Sequence, residues 1–300
     1  MISSPPAARP RRSVLYMPGS NARALEKARG LAADVLIMDL EDAVAPDAKQ
    51  TGRQQIAAAL EGGGYGGREL VVRVNGLETP WGEDDLKAAA GMAAHAVLLP
   101  KVETKETILA AIAVLDGAGG PAGLAIWCMM ETPLAMLHAE EIAFAHARVG
   151  CLVMGTSDLA KDLHAAHTPD RTPFMTSLGL CILAARAAGI GILDGVHLDL
   201  GDDAGFRKSC EQGLELGMDG KTLIHPKTIA AANEVFAPST AEIVWSKRII
   251  AAHAEAEAEG KGVLLVDGKL IENLHVENAK RLVAMAEAIA AMDQAAASAT

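Results

Sequence analysis

Short apolar runs that end abruptly in charged or polar side chains recur along this chain. The run at residues 35–38 leads directly into Asp39, Glu41 and Asp42. A buried parallel strand has this composition when it delivers acids to the rim of an active site. Further runs end in the same way, at Arg73 and Asn75, at Lys101 and Glu103, at Glu131, and at Thr156, Ser157 and Asp158. The repeated pattern favours a catalytic barrel whose site lies at one face.

Strand-like segments alternate with helical patterns, which predicts an α/β fold built on a (β/α)8 TIM barrel. Strands are expected near residues 13–17, 35–40, 70–74, 96–100, 124–130, 151–155, 190–196 and 220–224. Helices are expected near residues 21–32, 48–60, 103–115, 134–146, 177–188, 205–216 and 226–235. Such alternation gives parallel strands and right-handed crossovers, so an open doubly wound sheet is the alternative. Eight strands in 300 residues favour a barrel of ~250 residues plus an extension.

We expect three regions in the chain: a disordered tail at residues 1–12, a TIM-barrel catalytic domain at 13–238 and a C-terminal helical extension at 239–300. The extension contains a helical pattern at 240–259, a hairpin-like piece at 263–271 and a second helix at 276–292. It is too small to form an independent domain. Its apolar surface is therefore expected to pack on the barrel or on a neighbouring subunit, as a lid or an oligomer arm.

Charge and composition narrow the classes of partner. The net charge of −11 argues against a nucleic-acid or anionic-membrane partner and favours a small molecule. No stretch reaches the ~20 apolar residues of a membrane span, and the N-terminus lacks the apolar segment of a signal peptide. The four cysteines include no Cys-x-x-Cys pair, which favours reduced thiols. We therefore expect a cytoplasmic protein.

Glu131 and Asp158 follow successive predicted strands, the fifth and the sixth. In a barrel they would lie side by side at the carboxyl-terminal mouth. Two carboxylates without a nearby Cys or His suit Mg²⁺, with Mn²⁺ as an alternative, rather than Zn²⁺. For Asp158 alone, capping of the helix at residues 159–163 is an equally good interpretation.

Arg73 lies in an otherwise apolar strand, where an unpaired guanidinium would be very costly. It must face acids or an anionic substrate. Glu41 and Asp42, at the end of the neighbouring strand, would make a structural ion pair with it. The convergence of several acids and a base on one rim favours instead a role in holding a carboxylate or an oxyanion.

Two weaker signals accompany these residues. Gly19 and Asn21 open a helix that carries Lys27, which is typical of either a phosphate cradle or an ordinary capped helix. His225 follows the eighth strand, where a site residue and a turn residue are equally expected. The sequence contains neither a Gly-x-Ser-x-Gly elbow nor a Walker loop, so hydrolase-triad and nucleotide-triphosphatase functions are poorly supported.

Taken together, these segments resemble the citrate lyase β-subunit-like family of CoA-ester lyases. The resemblance covers residues 12–290. Its motifs are RSVLYMPGS at 12–20, MDLEDAVAP at 38–46, VRVN at 72–75, LPKVE at 99–103, MET at 130–132, GTSDL at 155–159 and GKTLIHPK at 220–227. Seven motifs in the same order make a chance match very unusual.

The resemblance implies roles for individual residues. Glu131 and Asp158 match the Mg²⁺ ligands, and Arg73 matches the arginine that steadies the enolate oxygen of the thioester. A catalytic acid from the C-terminal segment of a neighbouring subunit matches Glu272, where the family more often has Asp. Glu41 and Asp42 would order metal-bound water. Positions lining the CoA-ester and keto-acid pocket match Tyr16, Lys27, Ser157, Ile224 and His225.

The activity implied is reversible Claisen-type cleavage of malyl-CoA, methylmalyl-CoA or citramalyl-CoA to acetyl-CoA or propionyl-CoA and glyoxylate or pyruvate, in a trimer or hexamer of identical subunits. CoA is then part of the substrate. A (3S)-malyl-CoA thioesterase on the same scaffold is the nearest competing activity, because Glu272 and the residues after it, 273–275, resemble that branch equally well. A carrier-dependent citrate lyase β subunit and a non-enzymatic interaction protein are also compatible with the motifs.

Overall fold

A computed structural model describes residues 9–258 and 264–298. Eight parallel strands form a closed barrel in which each strand pairs with the next and β8 pairs with β1. The strands are β1 (Ser13–Pro18), β2 (Val35–Asp39), β3 (Glu69–Arg73), β4 (Ala96–Leu99), β5 (Ala125–Met130), β6 (Val149–Met154), β7 (Gly191–Asp194) and β8 (Gly220–Leu223). The predicted TIM barrel is therefore confirmed, and the open doubly wound sheet is excluded.

Helices connect the strands. They are α1 (Ala22–Ala28), α2 (Lys49–Glu61), α3 (Gly82–Ala90), α4 (Lys105–Gly117), α5 (Pro133–Leu137), α6 (Ala139–Ala143), α7 (Thr156–Asp162), α8 (Met175–Ala188), α9 (Asp203–Leu216) and α10 (Ile229–Val235). No helix among residues 9–258 and 264–298 is long and apolar enough to cross a membrane.

Three differences between the helices and the sequence-based expectation bear on the description of the site. The helix expected at 134–146 is two short helices, because the backbone leaves the α region at His138. Helix α3 is an additional element; its first turn carries three acids, and Leu86 is the one large apolar side chain on its buried face. Helix α7 begins at Thr156 rather than at 159, with Gly155 as its N-cap.

The strands are buried on both faces, which explains their continuous apolar composition. One set of side chains fills the barrel interior: Val14, Val35, Ile37, Val71, Ala96, Leu98, Trp127, Met129, Cys151, Val153 and Leu193. The alternate positions pack against the surrounding helices in a separate, larger core. All four cysteines are buried and free. Because side chains alternate along each strand, the position at which a strand ends decides which polar group faces the interior.

Ion pairs hold the first strand at the amino-terminal end of the barrel. Arg11 donates to Glu69 at 2.7 and 3.0 Å, and its guanidinium stacks 4.7 Å from the centre of the Trp127 ring. Arg12 donates to Asp34 through its backbone and its side chain, at 2.8 Å in each case. Both arginines fall within the predicted tail at residues 1–12, so the ordered barrel unit starts earlier than expected, at Arg11. Residues 1–8 of that predicted tail lie outside the described residues.

A second compact unit begins at Ala237. It contains α11 (Thr240–Ala258), a two-stranded antiparallel hairpin of β9 (Leu264–Val266) and β10 (Lys269–Ile271), and α12 (Asn273–Ser298). Asp267 and Gly268 both have positive φ, as a type I′ turn in a two-residue hairpin loop requires. Ile249, Val266, Ile271, Val276 and Ala279 form its own small core. The turn fixes the register of the hairpin. Glu272 is the residue directly after β10.

Candidate active site

A cavity of about 330 Å³ opens at the carboxyl-terminal end of the barrel strands. It is lined by Tyr16, Asp39, Asp42, Ala43, Arg73, Met129, Glu131, Met154, Gly155, Thr156, Ser157, Asp158, Val196, Thr222 and Ile224. Most of these residues end a strand or begin the loop after it. This is the end of the barrel at which TIM-barrel enzymes carry their active sites.

Strand register brings Asp39 beside Arg73. The two residues are direct partners at the ends of β2 and β3, and Arg73 donates two hydrogen bonds of 2.7 Å to the two Asp39 oxygens. Asp39 is fully buried and also accepts from the backbone N–H groups of Glu41 and Ala43. It therefore holds both the arginine and the start of the acidic loop. The sequence pattern places Asp39 among the acids after β2 but does not predict this role.

The Arg73 guanidinium has further partners. Its Nη1 atom lies 2.7 Å from a Glu41 oxygen and 3.6 Å from an Asp42 oxygen. Its central carbon, Cζ, lies over the Tyr16 ring, 4.8 Å from the ring centre. The sequence leaves two interpretations of Arg73 open, a structural ion pair and a residue that faces the substrate. In the structure Arg73 both forms ion pairs and lines the cavity.

Glu131 directly follows β5 and is almost completely buried. One of its oxygens accepts a 2.8 Å hydrogen bond from the backbone N–H of Lys101. The neighbouring residue on the β6 side is Gly155, and a Cβ atom there would come within 2.5 Å of the other Glu131 oxygen. Glycine at this position therefore leaves the room that the carboxylate occupies.

Asp158 lies in the first turn of α7, with its side chain one-third exposed at the cavity. The N-cap of α7 is Gly155 and Asp158 is the third residue of the helix, so the interpretation of Asp158 as the residue that caps this helix is wrong. Its carboxylate is 3.7 Å from the ammonium group of Lys101. Glu131 and Asp158 line the same cavity, as the order of their strands predicted.

Burial changes the proton affinity of three side chains around the cavity. Burial raises the pKa of Glu131 to about 7; the nearby Asp158 adds to this shift, whereas the hydrogen bond from Lys101 opposes it. Burial also raises the pKa of Glu41 to about 8, against the attraction of Arg73. Burial raises the pKa of the Tyr16 hydroxyl as well. Several perturbed groups around one cavity are characteristic of a functional site.

A buried lysine, Lys49, binds the backbone of the acidic loop after β2, residues 40–43. Lys49 donates to the backbone carbonyls of Leu40 and Glu41 at 2.7 and 2.8 Å and to the Asn75 side chain at 2.9 Å. Asn75 is in turn bound to Asp85, which is fully buried. This network fixes the backbone that carries Glu41 and Asp42. Lys49 lies in a polar helical segment with no feature that distinguishes it in the sequence, so sequence reasoning missed it.

Four of the expected site residues do not line the cavity. Glu41 contacts Arg73 instead. Lys27 is exposed on α1, and exposed His225 accepts from the backbone N–H of Lys227 in a turn. Glu272 is exposed in the second unit, where its backbone N–H donates to His275. The remaining expected residues are cavity-lining: Tyr16, Asp42, Arg73, Glu131, Ser157, Asp158 and Ile224.

In the described ranges, 9–258 and 264–298, no group of three or more His, Cys, Asp or Glu side chains is arranged to hold a metal ion. The cavity offers the two carboxylates of Glu131 and Asp158, which leave most positions around an ion to water or substrate. Such a site suits the coordination preference of Mg²⁺, which keeps several water ligands and uses one or two protein carboxylates.

A closed (β/α)8 barrel with acids and an arginine around a cavity at its carboxyl-terminal end defines a TIM-barrel enzyme. The profile of the HpcH/HpaI aldolase/citrate lyase family matches residues 12–226. The chain therefore belongs to this family, which confirms the resemblance drawn from its motifs.

Individual relatives span nearly the whole chain. A (3S)-malyl-CoA thioesterase of Cereibacter sphaeroides is 52% identical over 284 residues, covering 95% of this chain and 97% of the relative. An L-malyl-CoA/beta-methylmalyl-CoA lyase of the same species is 34% identical, covering 95% and 98%. The crystal structure of protein CitE from Mycobacterium tuberculosis in complex with magnesium, acetoacetate and coenzyme A has a TM-score of 0.74 and 27% identity, covering 95% of this chain and 100% of that chain.

Proposed function

We propose that this enzyme hydrolyses the thioester of a 3-hydroxy-3-carboxy acyl-CoA such as malyl-CoA, releasing malate and CoA with the help of Mg²⁺. The observation that carries this proposal is the 52% identity, over nearly the full length of both chains, with a (3S)-malyl-CoA thioesterase. The sequence motifs alone favour C–C cleavage. The lower identity of 34% with a malyl-CoA/methylmalyl-CoA lyase makes cleavage the second candidate.

The charges around the cavity support a requirement for a cation. Malyl-CoA brings a carboxylate into a cavity that is already lined by carboxylates, and the pKa values of Glu131 in the cavity and of Glu41 beside it are raised. Glu131 and Asp158 would hold the Mg²⁺ ion, because both line the cavity and neither carries a close arginine partner among the described residues. When bound, the ion would neutralise the substrate's carboxylate and hydroxyl oxygens and polarise its reacting groups.

Arg73 has donors left for the substrate. A guanidinium carries five N–H groups; Asp39 takes two of them, and the contact of Nη1 with Glu41 is an ion pair rather than a hydrogen bond among the described residues. The remaining N–H groups, which are on the two terminal nitrogens, can bind the thioester oxygen as it becomes negative during attack by water. One such donor contributes about 3 kcal/mol to transition-state stabilisation. Asp39 fixes the guanidinium so that little reorganisation is needed.

We assign Glu272 the role of the general base that directs water to the thioester carbonyl carbon. In the lyase reaction the same carboxylate would move a proton at the acetyl carbon, so its presence suits both candidates. We further propose that Glu272 serves the cavity of a neighbouring copy in a homo-oligomer. Its position after a long helix and a hairpin in a separate unit supports reach beyond its own barrel.

Product analysis tests hydrolysis against cleavage. Purified enzyme is incubated with malyl-CoA and Mg²⁺, and malate, glyoxylate, free CoA and acetyl-CoA are all quantified. Malate and CoA in equal amounts, without glyoxylate, support the thioesterase. Glyoxylate and acetyl-CoA in equal amounts support the lyase. If neither pair of products is formed, both proposals are contradicted. The Glu272→Gln variant is the control for background hydrolysis.

Co-expression tests the assignment of Glu272 to a neighbouring copy. Glu272→Gln and Asp158→Ala subunits, each inactive alone, carry different affinity tags so that hybrids can be purified. Partial recovery of activity in the hybrids is expected, because some cavities then combine intact Asp158 with an intact Glu272 from another subunit. Hybrids that form but stay inactive would restrict Glu272 to its own subunit or remove it from catalysis.

A further inference from the structure

Lys101 has an unusual backbone for a residue with a side chain. It follows β4 with a φ of +44°, in the left-handed region that glycine occupies without a steric penalty. A lysine kept there costs free energy, and such strain concentrates at functional sites. The conformation therefore raises the question of what the side chain does at this point of the barrel rim.

Both ends of Lys101 contact the proposed cation ligands. Its backbone N–H donates to a Glu131 oxygen at 2.8 Å, and its ammonium nitrogen lies 3.7 Å from an Asp158 oxygen. The side chain is about half exposed, at 47%, so its ammonium group remains accessible from the solvent side of the rim. One residue with a left-handed backbone thus contacts both carboxylates.

We propose that Lys101 is a substrate-binding residue whose ammonium group pairs with the carboxylate of the acyl moiety. This inference rests on the proposed function. Asp158 would turn to the bound cation, and the ammonium group would then lose its present partner while lying next to the anion that the cation attracts. The phosphates of CoA are separated from the thioester by the whole pantetheine arm, so the acyl carboxylate is the nearer anion.

Binding of free malate and free CoA, measured by calorimetry, tests this role without relying on turnover. Lys101→Met keeps the length and the left-handed strain of lysine and removes only the charge. With Mg²⁺ present, we expect its malate Kd to rise about tenfold, as for loss of a charged hydrogen bond, and its CoA Kd to stay unchanged. Lys101→Arg should keep most of the affinity for malate. The matched control is Lys105→Met, which removes an exposed charge nearby on α4.

Mg²⁺ titrated alone gives a second readout. Loss of the ammonium group beside Asp158 should tighten Mg²⁺ binding severalfold in Lys101→Met, because a competing positive charge is gone. The same titration of Lys105→Met should match that of the wild-type enzyme.

Three results would overturn the proposal. An unchanged malate Kd in Lys101→Met would exclude a carboxylate contact. Equal weakening of malate and CoA would indicate a general structural effect, and weakening of CoA alone would move the contact to its phosphates. Failure of the proposed function has a different signature, because the wild-type enzyme would then bind no malate in the presence of Mg²⁺.

Discussion

The two ends of the barrel both bury charged side chains, but they balance them differently. At the amino-terminal end, each arginine has its own carboxylate, in the pairs Arg11–Glu69 and Arg12–Asp34. At the carboxyl-terminal end, four carboxylates line the cavity, those of Asp39, Asp42, Glu131 and Asp158, and a fifth, Glu41, lies beside them against Arg73. Only two cationic side chains are paired with these five among the described residues, Arg73 and Lys101.

This difference separates stability from function. A balanced buried pair satisfies its own charges and needs nothing from solution. Burial, with the neighbouring carboxylates adding to it, raises the pKa values of Glu131 and Glu41, and the excess of carboxylates leaves charge for a ligand to neutralise. Substitutions at the amino-terminal end should therefore change folding, and those at the carboxyl-terminal end should change binding and turnover.

The largest effect is expected for Asp158→Ala. Loss of one of the two proposed Mg²⁺ ligands should lower kcat/KM by about 10³-fold, equivalent to about 4 kcal/mol. Thermal stability should stay the same or rise, because a like charge near Glu131 is removed. Steady-state assays and a melting curve on the same preparation measure both. Turnover at the wild-type rate in the presence of a chelator would refute the metal assignment.

Asp34→Ala should have the converse effect. Asp34 is buried and accepts three hydrogen bonds from Arg12. Removing one partner of such a pair should lower the free energy of unfolding by about 3 kcal/mol, while kcat of the folded enzyme stays near the wild-type value. Urea denaturation measures the change. Asp42→Ala is the matched control for stability, since that carboxylate is largely exposed. Similar stabilities for the two variants would contradict the view that charged residues at the amino-terminal end contribute more to stability than those at the carboxyl-terminal end.

Arg73→Lys tests a residue that is both part of a buried ion pair and part of the cavity lining. Lysine keeps the charge but loses the planar fork that binds Asp39 through two hydrogen bonds. We expect kcat to fall by about 10²-fold and the unfolding free energy to fall by only about 1 kcal/mol. Kinetics and denaturation are measured side by side. A variant that fails to fold would mean that the pair with Asp39 is mainly structural.

Mg²⁺ binding should depend on pH near neutrality. Burial raises the pKa of Glu131 to about 7, so below pH 7 this carboxyl carries a proton that the cation must displace. Affinity is therefore full above that pH and should fall by up to about tenfold per pH unit below it. Calorimetry from pH 6 to 8 measures the slope. Glu131→Gln should abolish the dependence, and Glu41→Gln, as the control, should keep it.

The smallest effect is expected for Lys101→Gly. Glycine relieves the left-handed strain at φ +44° but adds chain entropy to the unfolded state, so stability should rise by about 0.5 kcal/mol. Lys105→Gly, in the first turn of α4, should instead lower it. Denaturation of both variants and the wild-type enzyme measures the difference. Loss of stability in Lys101→Gly would show that the side chain contributes to folding.

The barrel, and the end at which its site lies, can be predicted from local patterns in the amino-acid sequence. Hydrophobic periodicity is local, so residues 35–38 predict a buried strand regardless of what they touch, and eight such strands in a β/α alternation leave few ways to close a sheet. Glu131, Asp158 and Arg73 could be selected for the same reason, since each interrupts an apolar pattern at a strand end. The alternation that puts Val35 and Ile37 inside the barrel also points Asp39 inward, and this signal could have identified it.

Which charged side chains pair with one another is visible only in the folded chain. Asp39, rather than Glu41 or Asp42, takes both bonds from the Arg73 fork because the register of β2 against β3 aligns them. Lys101 contacts the proposed cation ligands through a left-handed backbone that its amino-acid type does not favour. Lys49 supports the acidic loop from a helix that begins beyond that loop in the chain. Pairing depends on distances between separate strands and loops, and those distances exist only once the barrel has closed.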